Sequence, residues 1–189
     1  MIVLPIKPEE AHPWILQKHY AKRIPQIMFA FGLYENNLLV GVCTYGIPAS
    51  PNLCMGVCGE ENKDKVIELN RLCIETKTKN AASFLVGRSL KMLPSESIVV
   101  SYADTAHNHV GYVYQATNFL FTGTTKERTD MFAGNGKHSR HAKDPSIRKH
   151  RSAKHRYVYF VGTKTDKKLL QKKLNYDVQP YPKGESKTY

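Results

Sequence analysis

The chain has 189 residues, of which 41% are hydrophobic, and this length and composition fit one domain with a buried core. The 28 Lys and Arg residues exceed the 16 Asp and Glu residues, and the formal net charge of +12 favours a polyanionic partner. The sequence contains neither a signal-peptide pattern nor an apolar window of membrane-spanning length, so we expect a cytosolic protein whose four cysteines are reduced.

The first third of the chain predicts a helix and a β-hairpin. Residues 8–24 predict a helix that opens near Pro13, and His19 and Tyr20 fall where this helix ends. For these two side chains, ordinary packing at a helix end is as good an interpretation as a functional role. The two β-rich runs on either side of residues 35–37 predict a hairpin.

Residues 47–64 contain several prolines and glycines and predict a long loop. The loop holds Cys54 and Cys58, which could bind zinc only with two further ligands, such as His138 and His141. Because those histidines have an awkward spacing for a zinc site, ordinary thiols are the favoured interpretation.

Residues 66–75 predict a strand in which polar residues, Glu68 and Arg71 among them, interrupt an apolar run. Arg71 either forms a salt bridge within the sheet or faces an anionic ligand, and the sequence favours neither. Residues 81–93 predict an amphipathic helix, and its amino end, near Ser83, is a candidate phosphate site.

The stretch from 97 to 123 carries the strongest functional signal. Residues 98–100 form a β-branched run that predicts a buried strand, and residues 110–117 predict a helix with Asn108 as its N-cap. Ligands bind at the carboxyl ends of strands in such units, so residues 102–107 are the expected place for chemistry.

A basic segment, residues 137–156, precedes the last predicted strand and carries eight Lys and Arg, four His and one acid. This excess predicts nucleic-acid binding in preference to a merely solvated segment. The phosphate-binding candidates are Lys137, Arg140, Lys143, Arg148, Lys149, Arg151 and Lys154. We expect residues 1–175 to form the domain and residues 176–189 to be a mobile tail.

The order of the predicted elements resembles the GNAT acyltransferase fold, an α/β (α+β) architecture with a mixed central sheet flanked by helices. More narrowly, His19-Tyr20, residues 68–72 and residues 101–119 resemble the Mom family of Mu-like bacteriophages. Proteins of that family convert adenine in phage DNA to N6-carbamoylmethyladenine, which shields the DNA from host restriction enzymes. The resemblance therefore implies a DNA-modifying enzyme in the cytoplasm of an infected or lysogenic bacterium.

The resemblance also implies an active site. His19, Tyr20 and Asp104 match positions at which the family holds iron, and an imidazole, a phenolate and a carboxylate are chemically suitable ligands for that metal. Arg71 would grip a phosphate or carboxylate of the group donor, and Tyr114 would complete the functional set. Ser83 is a weaker candidate for contact with the donor.

Conventional acyltransferases of this fold bind the coenzyme A pyrophosphate with a glycine-rich turn, whereas residues 75–83 contain no glycine. The donor is therefore open between acetyl-CoA and an aminoacyl donor such as glycyl-tRNA. N6-carbamoylmethyladenine is an isomer of N6-glycyladenine, so a glycyl group could be transferred to N6 and then rearrange. Double-stranded DNA, and tRNA with this donor, are the implied partners.

Chemistry on adenine N6 within a pocket calls for a flipped base that stacks on aromatic rings. Tyr102, Tyr112, Phe119 and Phe121 are the candidates, although the protein core is the more frequent place for each. Three alternatives stay open: an N-acyltransferase with another acceptor, a non-catalytic DNA-binding protein, and a His-metal nuclease suggested by residues 104–109.

Overall fold

The computed structural model describes residues 1–134, 141–144 and 146–184. The strands of the main sheet are β1 (Ile2–Pro5), β2 (Phe29–Glu35), β3 (Leu38–Gly46), β4 (Val66–Ile74), β5 (Ile98–Asp104), β6 (Leu120–Thr124) and β9 (Lys154–Phe160). Their order across the sheet is β1-β2-β3-β4-β5-β9-β6. A separate two-stranded sheet, the basic hairpin, consists of β7 (Arg128–Met131) and β8 (Arg148–Arg151).

The helices are α1 (Pro8–Gln17), α2 (Pro51–Cys58), α3 (Ala81–Leu90), α4 (Tyr112–Ala116) and α5 (Lys164–Lys172), with 3-10 helices at Glu60–Lys65 and Thr105–His107. Helices α3 and α4 pack on one face of the sheet with Val99, whereas α2 and α5 pack on the other face with Ile98 and Val100. Consecutive residues of β5 are thus buried on both faces, which explains the continuous apolar run in the sequence. This is the mixed sheet flanked by helices that the sequence predicts.

The parallel neighbours β4 and β5 make the opening for the site. They are paired from Val66 with Ile98 to Glu68 with Val100, and the pairing ends there although both strands continue. One further link follows, in which Ser101 Oγ donates to Leu69 O at 3.0 Å. The carboxyl halves of the two strands therefore separate, and side chains from both face the gap.

Several element boundaries correct the sequence predictions. The first helix begins at Pro8 and ends at Gln17, so the predicted opening near Pro13 and extension to residue 24 are wrong. Residues 47–64 are not a long loop, because Ser50 Oγ accepts from Leu53 N and caps α2, whose first residue is Pro51. Proline is well tolerated at the first residue of a helix. The prolines of this stretch predict a loop, but Pro51 marks the start of a helix.

The predicted hairpin at residues 35–37 is confirmed, with Asn36 and Asn37 in the left-handed region that such turns require. The strand predicted at residues 98–100 runs on to Asp104, because β9 pairs with it as far as Asp104 with Lys154. Asn108 ends a 3-10 helix, and Gly111 is the N-cap of α4. Strand β1 and helix α5 had no counterpart among the predicted elements.

Residues 176–184 run beside β6. Gln179 N donates to Phe121 O at 2.9 Å, Tyr181 Oη donates to Phe119 O at 2.7 Å, and Tyr112 Oη donates to Gly184 O at 2.7 Å. The first bond uses a carbonyl group of β6, the last strand in the sheet, and the second uses the carbonyl of the residue just before it, at an edge next to which no other strand is described. The mobility of the tail stays a prediction, and its last five residues, 185–189, lie outside the described part of the chain.

Candidate active site

A cavity of about 1130 Å³ occupies the gap between the separated ends of β4 and β5. Its walls are residues 18–23 after α1, residues 68–74 of β4, the end of β5 with the turn after it, and the inner side of the basic hairpin. Pockets for small ligands typically measure about 300–1,000 Å³, so this cavity has room for a nucleotide and part of a second ligand.

The segment that carries His19 and Tyr20 is anchored by Arg71. The Arg71 guanidinium donates from Nε and Nη2 to Arg23 O, at 3.2 and 2.8 Å, and from Nη1 to Asn70 O at 2.5 Å. Arg71 is 9% exposed and lines the cavity. Its planar fork therefore fixes the loop after α1 against β4 and brings a positive charge to the cavity.

Four rings form an aromatic cluster at the cavity. Tyr20 stacks on His19, with ring centroids 4.4 Å apart and planes at 29°, and its centroid lies 4.5 Å from that of His107 and 6.5 Å from that of His109. Because His107 and His109 come from the turn after β5, the cluster joins two segments that are far apart in sequence. The result is a stacking surface beside the end of β5.

Protonation of this cluster is set by its surroundings. Burial, followed by the Arg71 charge, lowers the pKa of His19 to about 3, so its imidazole is neutral at pH 7. Removal from water, with Asp104 as the second cause, raises the pKa of Tyr20, so its phenol keeps its proton. His19 Nδ1 accepts from Ala21 N at 3.0 Å, which leaves Nε2 to carry the proton.

Asp104, at the end of β5, is bound by the base of the basic hairpin. Its Oδ1 accepts from Ser152 Oγ at 2.5 Å and from Ala106 N at 3.0 Å, and its Oδ2 accepts from Lys154 Nζ at 2.5 Å. Burial alone would raise the pKa of Asp104, but the bonds from Lys154 and Ser152 outweigh it and hold the pKa below its ordinary value. Asp104 is therefore an anionic link between the central sheet and the hairpin.

Glu68 is a second carboxylate in the cavity, on β4 at the point where its pairing with β5 ends. Within the described part of the chain it has neither a hydrogen bond nor an ion pair through its carboxylate. Burial raises the pKa of Glu68, against the opposing charges of Arg71, Lys154 and Arg23. A carboxylate with a raised pKa and free oxygens is suited to accept a proton from a ligand.

Hydrogen bonds and ring stacking occupy the expected iron ligands in this structure. Both oxygens of Asp104 accept hydrogen bonds, and the rings of His19 and Tyr20 stack with their centroids 4.4 Å apart. Among residues 1–134, 141–144 and 146–184, no three His, Cys, Asp or Glu side chains could hold a metal ion. The assignment of iron to His19, Tyr20 and Asp104 stays a prediction, and no step below uses it.

The other predicted residues divide between the cavity and its surroundings. Tyr114 on α4 is 6% exposed, lines the cavity and packs on Phe119 and Tyr157, with ring centroids 5.4 and 5.2 Å away. Ser83 is not among the cavity-lining residues, and its Oγ donates to Asn80 O. Its predicted contact with the donor therefore requires a ligand that extends beyond the cavity.

The loop before α3 already binds a carboxylate. Thr76 Oγ1 donates to Glu35 Oε2 at 2.7 Å, and hydrogen bonds from Thr78 and Thr76 lower the pKa of Glu35. Asn80, with φ of 63°, takes the left-handed conformation that glycine usually supplies. The hydroxyl of Thr76 in this loop is therefore engaged by Glu35.

The basic residues play unequal parts. Lys149, Arg151 and Lys154 line the cavity, but Arg151 is paired with Asp130 at 3.0 Å and Lys154 is paired with Asp104. Among the predicted phosphate contacts, Lys143, Arg148 and Lys149 are exposed and have no acidic partner among the described residues. Lys137 and Arg140 lie outside the described residues.

Of the four residues suggested for a zinc site, Cys54 and Cys58 are buried free thiols. His138 lies outside the described residues.

Of the aromatic residues considered for base stacking, Phe119 and Phe121 are buried in the core at 0% and 6% exposure. They are therefore not available to a base, whereas Tyr102 lines the cavity. The contact of His107 with Tyr20 and the position of Glu68 in the cavity were not among the sequence predictions. Their signals were a histidine pair directly after a strand end and an acid inside an apolar strand.

Comparison with known proteins agrees with this architecture. The family model described as "Mom protein family" matches residues 1–183. "Methylcarbamoylase mom" of Escherichia phage Mu is 30% identical over 191 residues, which cover 89% of this chain and 78% of that protein.

Among solved structures, an N-acetyltransferase from Staphylococcus aureus Mu50 has a TM-score of 0.51 at 15% identity, covering 85% of this chain and 98% of its own. A Salmonella typhimurium protein, solved with its cofactor acetyl-CoA, has a TM-score of 0.52 at 8% identity, covering 86% of this chain and 95% of its own. At these identities the likeness shows the GNAT fold alone. No helix among the described residues is long and apolar enough to cross a membrane.

Proposed function

Because the chain belongs to the Mom family, a phage DNA-modification family, we propose that it transfers a group to adenine N6 in double-stranded DNA and forms N6-carbamoylmethyladenine. The modified DNA would then resist host restriction in the cytoplasm of the infected or lysogenic bacterium. The observation that carries this proposal is the junction of the basic hairpin with the cavity. Ser152 and Lys154, at the base of the hairpin, hold Asp104 at the end of β5.

The cavity suits a flipped adenine. Adenine N6 lies in the major groove, and an enzyme that encloses it must first take the base out of the stack. The aromatic cluster offers Tyr20 and His107 as stacking partners at the cavity, and Arg148 and Lys149 of the basic hairpin offer cations for the flanking phosphates. DNA held on the hairpin would thus present its base to the cavity.

Glu68 supplies the proton acceptor in this proposal. The N6 amino group of adenine is a weak nucleophile because its lone pair is delocalised into the ring, so its attack requires loss of a proton. The free carboxylate of Glu68, with its raised pKa, can take that proton as the bond to the donor carbon forms. The proton then passes to the leaving hydroxyl of the donor.

The donor in this proposal is an aminoacyl ester, glycyl-tRNA. Residues 75–83 contain no glycine and Thr76 is engaged by Glu35, which argues against the usual pyrophosphate site of coenzyme A, whereas the net charge of +12 suits a second nucleic acid. Adenine N6 forms a bond to the glycyl carbonyl carbon while the ester C–O bond breaks. The glycyl amine then attacks C6, the original C6–N6 bond breaks, and that nitrogen becomes the carboxamide of the product.

Nucleoside mass spectrometry of plasmid DNA from bacteria that express the protein tests the activity. The wild type should give an adenine with a carbamoylmethyl increment, and Asp104→Ala should abolish it. Asp64→Ala, which removes an exposed carboxylate outside the cavity, is the matched control and should keep the product. Unmodified DNA from folded wild-type protein would contradict the proposal and favour an acyltransferase with another acceptor, or a passive binder.

Heavy nitrogen at adenine N6 tests the rearrangement. The label should appear in the carboxamide of the product, because the original nitrogen leaves C6. Label retained on the ring carbon would contradict the glycyl route while leaving the modification itself intact.

A further inference from the structure

The loop after α1 carries two cations that no acidic residue neutralises. Lys22 and Arg23 both line the cavity, and neither forms an ion pair with any described residue. Lys18, at the start of the same segment, pairs with Glu75. The charges of Lys22 and Arg23 are therefore available to a ligand in the cavity, whereas the charge of Lys18 is engaged.

The backbone holds these two residues in a fixed conformation. Lys22 has φ of 41°, in the left-handed region that residues other than glycine rarely adopt, and its backbone N donates to His19 O at 3.0 Å. The carbonyl of Arg23 accepts from Nε and Nη2 of Arg71. A residue other than glycine keeps this conformation only where its surroundings impose it, and such residues are frequent at ligand sites.

Arg71 places a third positive charge beside these two. Its guanidinium donates to carbonyl groups, and no carboxylate of a described residue lies within ion-pair distance of it. After burial, the charge of Arg23 is the largest cause that lowers the pKa of Arg71, which indicates that the two guanidinium groups are close. The carboxylate of Glu68 attracts both groups from beyond ion-pair distance. Because an anion between neighbouring cations relieves their repulsion, this arrangement favours an anionic ligand.

The position of Tyr20 indicates which anion this is. Its ring is 52% exposed, belongs to the aromatic cluster and lies two residues before Lys22 in the chain. Flipping rotates a nucleotide about its backbone, and one sugar joins its base to its phosphate. A base stacked on Tyr20 therefore brings its own phosphate to the adjacent part of the same cavity wall.

We propose that Lys22 and Arg23, supported by Arg71, bind the phosphate next to the target adenine while that base occupies the cavity. The inference rests on the proposed function, since it takes duplex DNA as the substrate. The basic hairpin contacts other phosphates of the duplex, whereas the loop after α1 acts on the one nucleotide that leaves the stack. This phosphate site lies outside the basic segment, residues 137–156, to which the sequence assigned DNA binding.

Neutral phosphate analogues test this assignment through DNA binding, independently of the reaction. The duplex carries one mispaired adenine, because such a base leaves the stack at low cost, and a methylphosphonate replaces one phosphate at a time. With the full-length wild type, a methylphosphonate beside the mispaired adenine should raise Kd about tenfold, whereas one near the end of the duplex should raise it less than about twofold.

The double variant Lys22→Gln/Arg23→Gln removes both charges but keeps the backbone carbonyl that Arg71 binds. It should raise Kd for the unmodified duplex about tenfold, and the methylphosphonate beside the adenine should then cause no further loss. Arg88→Gln/Lys91→Gln removes two exposed charges outside the cavity lining and is the matched control. This control should lose as much affinity as the wild type when the methylphosphonate is introduced.

Two results would overturn the proposal. One is a wild-type Kd that changes equally at every substituted phosphate, and the other is a set of losses in which the variant and the analogue act independently. The wild-type measurement decides the question even if the double variant does not fold. A failed phosphate site leaves modified adenine in plasmid DNA from wild-type cells, whereas a failed reaction leaves the coupling without any modified nucleoside, so the two failures are distinguishable.

Discussion

Lys154 Nζ lies 2.5 Å from Asp104 Oδ2, so the ammonium that the sequence assigned to a DNA phosphate is paired with the carboxylate of the candidate site. Asp104 is 7% exposed, and a buried carboxylate of this kind needs a counter-charge. The contact also ties the first residue of β9 to the last residue of β5. Lys154 is consequently better described as a positioning residue for Asp104 than as a phosphate contact.

Lys154→Met should therefore destabilise the protein at neutral pH by about 1–2 kcal/mol, since it leaves the buried Asp104 without its cation, although solvent reaches the 33% exposed side chain of Lys154 and weakens the pair. The pKa of Asp104 lies below its ordinary value, so the stabilisation is present above the unfolded-state pKa and is lost as the pH falls through the folded-state pKa. Urea unfolding at pH 7 and in strong acid should show a difference between variant and wild type that shrinks with acidification. A difference independent of pH would contradict the role of the ion pair.

Charge reversal of Arg148 and Lys149 to Glu should reduce the salt dependence of DNA binding, because phosphate contacts release counterions. Arg151→Glu should change the slope less, since Arg151 already pairs with Asp130. The measurement is the slope of log Kd against log salt concentration for a duplex. Reversal of Lys164 and Lys168 on α5, away from the cavity lining, is the control. An unchanged slope in the Arg148 and Lys149 variant would place the phosphate site elsewhere.

Arg71→Lys should loosen the segment that holds His19 and Tyr20. A lysine keeps the charge but cannot reach Arg23 O with two nitrogens, so the loop after α1 loses its anchor. Limited proteolysis should cut residues 18–23 faster than in the wild type, and the modified fraction of DNA should fall about tenfold or more. Arg88→Lys on α3 serves as the control. Unchanged proteolysis with lost modification would instead indicate direct contact between Arg71 and the donor.

Removal of the chain after Asn175 should destabilise the domain by about 1–3 kcal/mol, because the carbonyl groups of Phe119 and Phe121 lose their donors. Tyr181→Phe should cost about 0.5–1.5 kcal/mol through the bond to Phe119 O alone. Truncation after Gly184 is the control. Thermal unfolding measures all three, and wild-type stability in the chain ending at Asn175 would show that residues 176–184 are dispensable and mobile.

The sequence predicted the elements that are determined by the conformational preferences of neighbouring residues. The β-branched run before Ser101 and the Asn36-Asn37 turn carry their own signals, and both agree with the structure. The sequence also predicted that residues 102–107, which include Asp104, follow the carboxyl end of this run, and Asp104 lines the cavity. The predictions failed where contacts between distant parts of the chain determine the bounds of an element. Pairing with β9, for example, extends β5 beyond its apolar run.

The candidate site was only partly predictable for the same reason. The joining of Tyr20 with His107 depends on Arg71, which folds the loop after α1 against the sheet, and no local pattern encodes that contact. The split of the basic residues into paired and exposed cations likewise depends on which acids the fold brings near. A charge run by itself could not separate Lys154 from Lys149.

The basic hairpin leaves and rejoins the sheet at neighbouring points. Thr124 is paired with His155, Thr125 N donates to Lys154 O at 2.9 Å, and Lys154 N donates to Thr125 Oγ1 at 3.0 Å. The two chain segments at the base of the hairpin are therefore held together by hydrogen bonds that do not depend on the residues of the hairpin itself. The length and sequence of the hairpin can therefore change without disturbing the strands β5, β6 and β9 from which it extends.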